Sequence, residues 1–159
     1  MKKISNMELK FMTFLKYSII ILLNWSCTLK NNHKEDDYYV LEQSLEKEYA
    51  IKLNSDIKKI FVLTEENCMS CNKYFAEIIK NYQNKKSAII IVNAVGVRVD
   101  ISEFKKKKAD NIYYSINYNR NNSFVNKTKA IFLDNKQIDT IINIEAKGLQ
   151  QQIDFILEN

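Results

Sequence analysis

The run Lys59-Ile-Phe-Val-Leu-Thr64-Glu-Glu-Asn-Cys68-Met-Ser-Cys71 places a β-branched and aromatic segment directly before two cysteines three residues apart. Lys59 to Thr64 has the composition of a buried strand. From Cys68 through Asn84 the apolar and Cys positions fall at 68, 71, 75, 78, 79 and 82, one face of an α-helix. The cysteines therefore stand at a strand-to-helix junction, within a turn of each other and close enough for a disulfide. Free N–H groups and the helix dipole at that position stabilise a thiolate on the first cysteine. This makes Cys68 the expected exposed nucleophile. Cys71 begins the apolar stripe shared with Phe75, Ile78 and Tyr82, so it is expected to be shielded and able to attack a mixed disulfide formed at Cys68. Half of a zinc site, an inert disulfide and a pair of free thiols are the alternatives at this point.

Outward from this junction, Ser87 to Val95 (SAIIIVNAV) reads as a second continuous apolar strand. Ile101 to Ala109 reads as a short helix, Asn111 to Ile116 as a short strand, and the Asn-dense Asn117 to Asn126 as loop. Lys129 to Leu133 and Gln137 to Ile144 read as two strands joined by the turn Asp134-Asn-Lys136, a hairpin composition. Ala146 to Leu157 closes the chain as a helix with apolar surface from Leu149, Ile153, Phe155, Ile156 and Leu157. Upstream, Tyr38 to Ala50 carries Val40, Leu41, Leu45 and Tyr49 at helical spacing. The order is helix, β-α-β-α-β, hairpin, helix. It predicts an α/β domain with one mixed central sheet and helices on both faces.

Composition narrows the chemistry. The chain has 159 residues, 46% of them hydrophobic, enough for one globular domain with a core. Its single histidine, His33, lies in a polar stretch and leaves no multi-His metal site. Two glycines in the whole chain exclude a Gly-rich phosphate loop or dinucleotide fingerprint. Proline is absent, and three cysteines are too few for a disulfide framework. No metal and no non-protein cofactor is expected.

The N-terminus has a separate character. Lys2, Lys3, Lys10 and Lys16 precede the apolar run Tyr17-Ser-Ile-Ile-Ile-Leu-Leu23, then Asn24-Trp-Ser-Cys27. A basic region, a short apolar run and a small residue before cysteine read as an export signal, too short to span a bilayer at roughly 20 residues. The Ser26-Cys27 junction resembles the lipobox of bacterial lipoproteins, although Trp25 stands where a small residue is common. Residues 1–26 are thus expected as a signal peptide, Cys27 as an acylated anchor, 27–37 as a polar tether and 38–159 as the folded domain. Removing 1–26 takes away four Lys and one Glu, so the formal charge of +5 falls to +2. The remaining basic cluster, Lys105 to Lys108, is flanked by Asp100, Glu103 and Asp110 and reads as a solvated face. No nucleic-acid partner is expected.

From Ile57 to about Leu157, the strand KIFVLT, the CxxC helix, the strand SAIIIVNAV and the terminal hairpin with its helix resemble the thioredoxin-like superfamily. The likeness is to its extracytoplasmic, membrane-anchored TlpA/ResA-type members in particular. The resemblance implies Cys68 as nucleophile and Cys71 as resolving cysteine. It also places Thr128-Lys129 at the substrate groove, where the family carries a cis-proline. A cis bond before a non-proline residue costs about 3–4 kcal/mol, so this peptide is expected to be trans. Asn67 stands where an aromatic residue often precedes the first cysteine, and Val62 where thioredoxins bury an Asp. Glu65 and Glu66 oppose a thiolate at Cys68, with Lys73 partly compensating. The same two carboxylates are candidates for proton transfer, against the alternative of a solvated pair.

The leading expectation is a lipid-anchored thiol-disulfide oxidoreductase outside the cytoplasm, on the periplasmic side or cell surface. Its partners would be protein thiols or disulfides and an upstream redox protein, with reduction of partner disulfides favoured. The alternative is a thioredoxin-fold lipoprotein that binds a partner and keeps its CxxC as a structural or vestigial disulfide.

Overall fold

The computed structural model describes residues 32–159 apart from 67, 95, 107 and 116–119. The expected signal, Cys27 and Asn67 lie outside the described residues. Among those described, helix α1 (Asn32–Tyr49) precedes β1 (Lys59–Thr64), α2 (Met69–Ile79) with a 3-10 turn (Lys80–Tyr82), and β2 (Ala88–Asn93). A short α3 (Ser102–Lys106), β3 (Ile112–Tyr114), β4 (Lys129–Asp134), β5 (Gln137–Asn143) and α4 (Leu149–Glu158) follow. The strands form one mixed sheet in the order β3-β2-β1-β4-β5. β1 is central, parallel to β2 and antiparallel to β4, while β2–β3 is parallel and β4–β5 antiparallel.

Alternation along the strands splits the core into two layers. Phe61 and Leu63 of β1, with Ala88, Ile90 and Val92 of β2, pack on one face against Phe75 and Ile79 of α2 and Ile153 and Ile156 of α4. Ile60 and Val62, with Ile89, Ile91, Ile131 and Leu133, pack on the other face against Leu41 and Leu45 of α1. Both Leu side chains are 0% exposed, and each stabilises the docking of α1 by about 1.5–3 kcal/mol. Burial on both faces explains why β1 and β2 are continuous apolar runs rather than alternating ones.

Several boundaries and faces differ from expectation. α1 begins at Asn32 rather than Tyr38, so a helix includes residues expected in the tether. Its buried stripe runs through Tyr38, Leu41 and Leu45, whereas Val40 is 51% exposed. In α4 the buried face is Ile153 and Ile156, which leaves Leu157 outside it. Phe155 instead makes an edge contact with Phe132. The β4–β5 hairpin turns through Asn135 and Lys136, both at positive φ, as a type I′ turn requires. Lys105, Lys106 and Lys108 are exposed, and Lys106 pairs with Glu103 at 2.9 Å. Among the described residues no helix is long and apolar enough to cross a membrane.

Candidate functional site

Cys68 caps the N-terminus of α2 in extended backbone conformation. Its Sγ is bonded to Cys71 Sγ, with Cα atoms 5.2 Å apart. The Cys71 N–H also donates to Cys68 Sγ at 3.2 Å, the side-chain cap that an N-cap residue supplies to an otherwise orphaned donor. Ser70 Oγ lies 3.7 Å from the same sulfur. The two cysteines differ in access: Cys68 is half-buried at the helix tip, while Cys71 is 2% exposed among the apolar residues of the α2 layer. Met69, between them, is 49% exposed, and Val97 on the loop after β2 is 83% exposed. Beside the pair, Ser70, Lys73, Tyr74, Ala76, Glu77, Val99 and Asp100 line a groove of about 530 Å³.

The loop that delivers Cys68 is held from three directions. Asn72, 0% exposed, donates through Nδ2 to Thr64 O at 3.0 Å and to Glu66 O at 2.7 Å. Thr128, 1% exposed, accepts from Thr64 N–H at 3.0 Å and faces Thr64 Oγ1 at 3.1 Å and Thr64 O at 3.4 Å. One proton arrangement satisfies the group: Glu66 N–H donates to Thr64 Oγ1, the Thr64 hydroxyl to Thr128 Oγ1, and the Thr128 hydroxyl to Thr64 O. On the third side, Glu65 Oε1 accepts from Gly96 N–H at 3.0 Å and Arg98 N–H at 2.9 Å, tying the cysteine loop to the loop after β2. Gly96 has φ +94°, a conformation other residues rarely adopt, and this turn aims two N–H groups at one carboxylate.

These contacts locate those residues singled out in the sequence that the structure describes near the cysteines. Cys68, Cys71, Glu65, Glu66 and Thr128 gather around the end of β1. Glu65 is engaged with backbone donors, and Glu66 Oε1 lies 3.8 Å from the Arg120 guanidinium at the surface. The Thr128–Lys129 peptide is trans. Lys129 is the Cα partner of Val62 and belongs, like Val62, to the α1 face. It is 5% exposed, and its ammonium donates to Ser123 O. Burial, with Lys127 in the same direction, pushes its pKa below the usual lysine range. Val62, six residues before Cys68, thus lies in the opposite core layer from Cys71, which is surrounded by apolar side chains. Among the described residues no group of three His, Cys, Asp or Glu side chains is arranged to hold a metal ion.

No known family, curated protein or solved structure matches this chain. The residues around the cysteines therefore carry the functional argument by themselves. Two of them were not singled out in the sequence. Thr64 ends an apolar strand and passes for part of it. Asn72 stands four residues after Cys68 and three before Phe75, so helical spacing places this polar residue on the buried stripe.

Proposed function

We propose that the protein is a thiol-disulfide oxidoreductase of thioredoxin-like architecture, anchored outside the cytoplasm through an acylated Cys27. The observation that carries the redox reading is the asymmetry of the pair. Cys68 is half-buried, the more accessible of the two, and its Sγ receives the Cys71 N–H at 3.2 Å, while Cys71 is 2% exposed. When the pair is reduced, that N–H stabilises a thiolate at Cys68. The thiolate attacks one sulfur of a partner disulfide, forming a mixed disulfide and expelling the partner's other sulfur as a thiolate, which takes a proton from solvent. Cys71, having lost its proton, then attacks Cys68 Sγ. The second partner sulfur leaves, also to be protonated, and the Cys68–Cys71 disulfide forms. The partner gains two electrons and two protons, and an upstream dithiol reductant restores the pair.

The sheet order supports the architecture: a parallel β1–α2–β2 unit whose first strand also pairs antiparallel with a terminal hairpin. Insulin reduction by residues 28–159, with dithiothreitol as electron source, tests the activity. Acceleration over dithiothreitol alone that is lost in Cys68→Ser supports the proposal, and a rate equal to the background overturns it. A second reading, a partner-binding protein with a structural disulfide, draws on the burial of Thr128 and Lys129. At 1% and 5% exposure, these residues offer a disulfide substrate little side-chain surface where the family binds it.

A further inference from the structure

Asn72 has an unusual hydrogen-bond balance. Its Nδ2 serves two carbonyls, Thr64 O and Glu66 O, one ending β1 and one in the loop that delivers Cys68. Its Oδ1 is buried and accepts no hydrogen bond among the described residues. A buried acceptor without a donor is destabilising and rare in native proteins, so its presence beside a chemically reactive pair calls for a cause. The structure holds the oxidised form, in which neither cysteine carries a proton. Reduction leaves an S–H donor on Cys71, the residue before Asn72, beside a thiolate at Cys68, and a donor is the kind of group the Asn72 oxygen lacks.

We infer that Asn72 is a positioning residue that biases the Cys68–Cys71 pair toward its reduced form. Two contributions act in the same direction. The amide N–H groups cover two carbonyl dipoles whose negative ends would otherwise oppose a thiolate at Cys68. The protonated sulfur of the opened pair supplies a donor that the disulfide lacks, and Oδ1 is the buried acceptor without one. Asn72 consequently stabilises the reduced protein more than the oxidised one. This inference rests on the pair being redox-active, and it is tested apart from catalysis.

Wild type and Asn72→Ala are equilibrated in dithiothreitol redox buffers. The pair takes up two electrons and two protons while dithiothreitol closes to its cyclic disulfide. The expected result is an equilibrium about tenfold more in favour of the disulfide in Asn72→Ala, equivalent to about 30 mV for a two-electron couple. Urea unfolding of both forms supplies the readout that a purely structural role would not move: the variant loses more stability reduced than oxidised, by the same tenfold factor. Equal loss in the two forms with an unchanged redox equilibrium overturns the inference. Should Asn72→Ala not fold, Asn72→Ser is expected to shift the equilibrium with the same sign and smaller size, and no shift there overturns it equally. If wild type fails to reduce insulin while the variant still shifts the equilibrium, the catalytic proposal falls and this coupling stands. Insulin reduction with no shift removes the coupling alone.

Discussion

Asn72 of α2 and Thr128, the residue before β4, converge on one acceptor, Thr64 O, at 3.0 and 3.4 Å. The helix that carries the cysteines and the segment beside the proposed groove are thereby fastened to the last residue of the central strand. β1 pairs with β4 only as far as Val62↔Lys129. Beyond that point the Thr128 side chain accepts the Thr64 N–H, so a buried donor is satisfied where the ladder stops.

Thr128→Val keeps the shape of the side chain and removes its hydroxyl. The buried Thr64 N–H then has no acceptor, so a loss of about 1–3 kcal/mol is expected. Urea unfolding should show a lower midpoint at unchanged slope. An unmoved midpoint would show that the Thr64–Thr128 contacts contribute nothing net.

The thiols should divide their labour. Cys71→Ser is expected to accumulate mixed disulfides with partner proteins through Cys68, and Cys68→Ser to accumulate few, because Cys71 is 2% exposed. Non-reducing gels after acid quenching provide the comparison. Similar trapping by both variants would contradict the assignment of nucleophile and resolving cysteine.

Lys129 supplies a pH dependence of definite sign. Its folded-state pKa is lowered, by burial first and Lys127 second, so between that value and the unfolded value near 10.4 the unfolded chain binds more protons. The destabilisation is present at neutral pH and is relieved as pH rises through this window. Lys129→Met should remove that alkaline rise and raise stability at pH 7 by about 1 kcal/mol, the low end for replacing a buried ionic group with an apolar one. Unfolding curves at pH 7 and pH 10 test both points, and an alkaline rise that persists in the variant would assign it to another group.

The anchor is tested by metabolic labelling with a radiolabelled fatty acid. Cys27→Ser should lose the label and leave the membrane fraction, since acyl chains contribute roughly 0.8 kcal/mol per buried methylene. Undiminished labelling would exclude Cys27 as the acylated residue.

What could be read in the sequence followed from local periodicity. KIFVLT and SAIIIVNAV have one interpretation as buried strands, and the 68–71–75–78 spacing makes the cysteine helix and its buried face plain. The hairpin turn was legible because Asn135 tolerates positive φ. The start of α1 was not, since Asn32 to Asp37 contains no apolar residue to reveal a period. At α4, five apolar residues in nine obscured which of them face inward, and Phe155 and Leu157 fall off the stripe through Ile153 and Ile156. The role of Glu65 was beyond local reading because its donors, Gly96 and Arg98 N–H, are backbone groups 31 and 33 residues away. Asn72 was legible in principle, as a polar residue at a buried helical position, but its acceptors are backbone carbonyls that pattern alone does not reveal.

The position of β1 also sets an order of events during synthesis. Its partner β2 follows within the next stretch of chain, from Lys59 to Ala88, but its other neighbour begins at Lys129. The ribosome therefore releases both cysteines well before the residues that close the end of their strand. During that interval the parallel pair can form while Thr64 N–H and the β4 edge of β1 remain open, and the nascent thiols lack the anchor supplied by Thr128. A chain interrupted before Thr128 would carry both cysteines without the side chain that holds Thr64 at the end of β1. The C-terminal part of the chain thus completes the support of the strand end that leads to the cysteines.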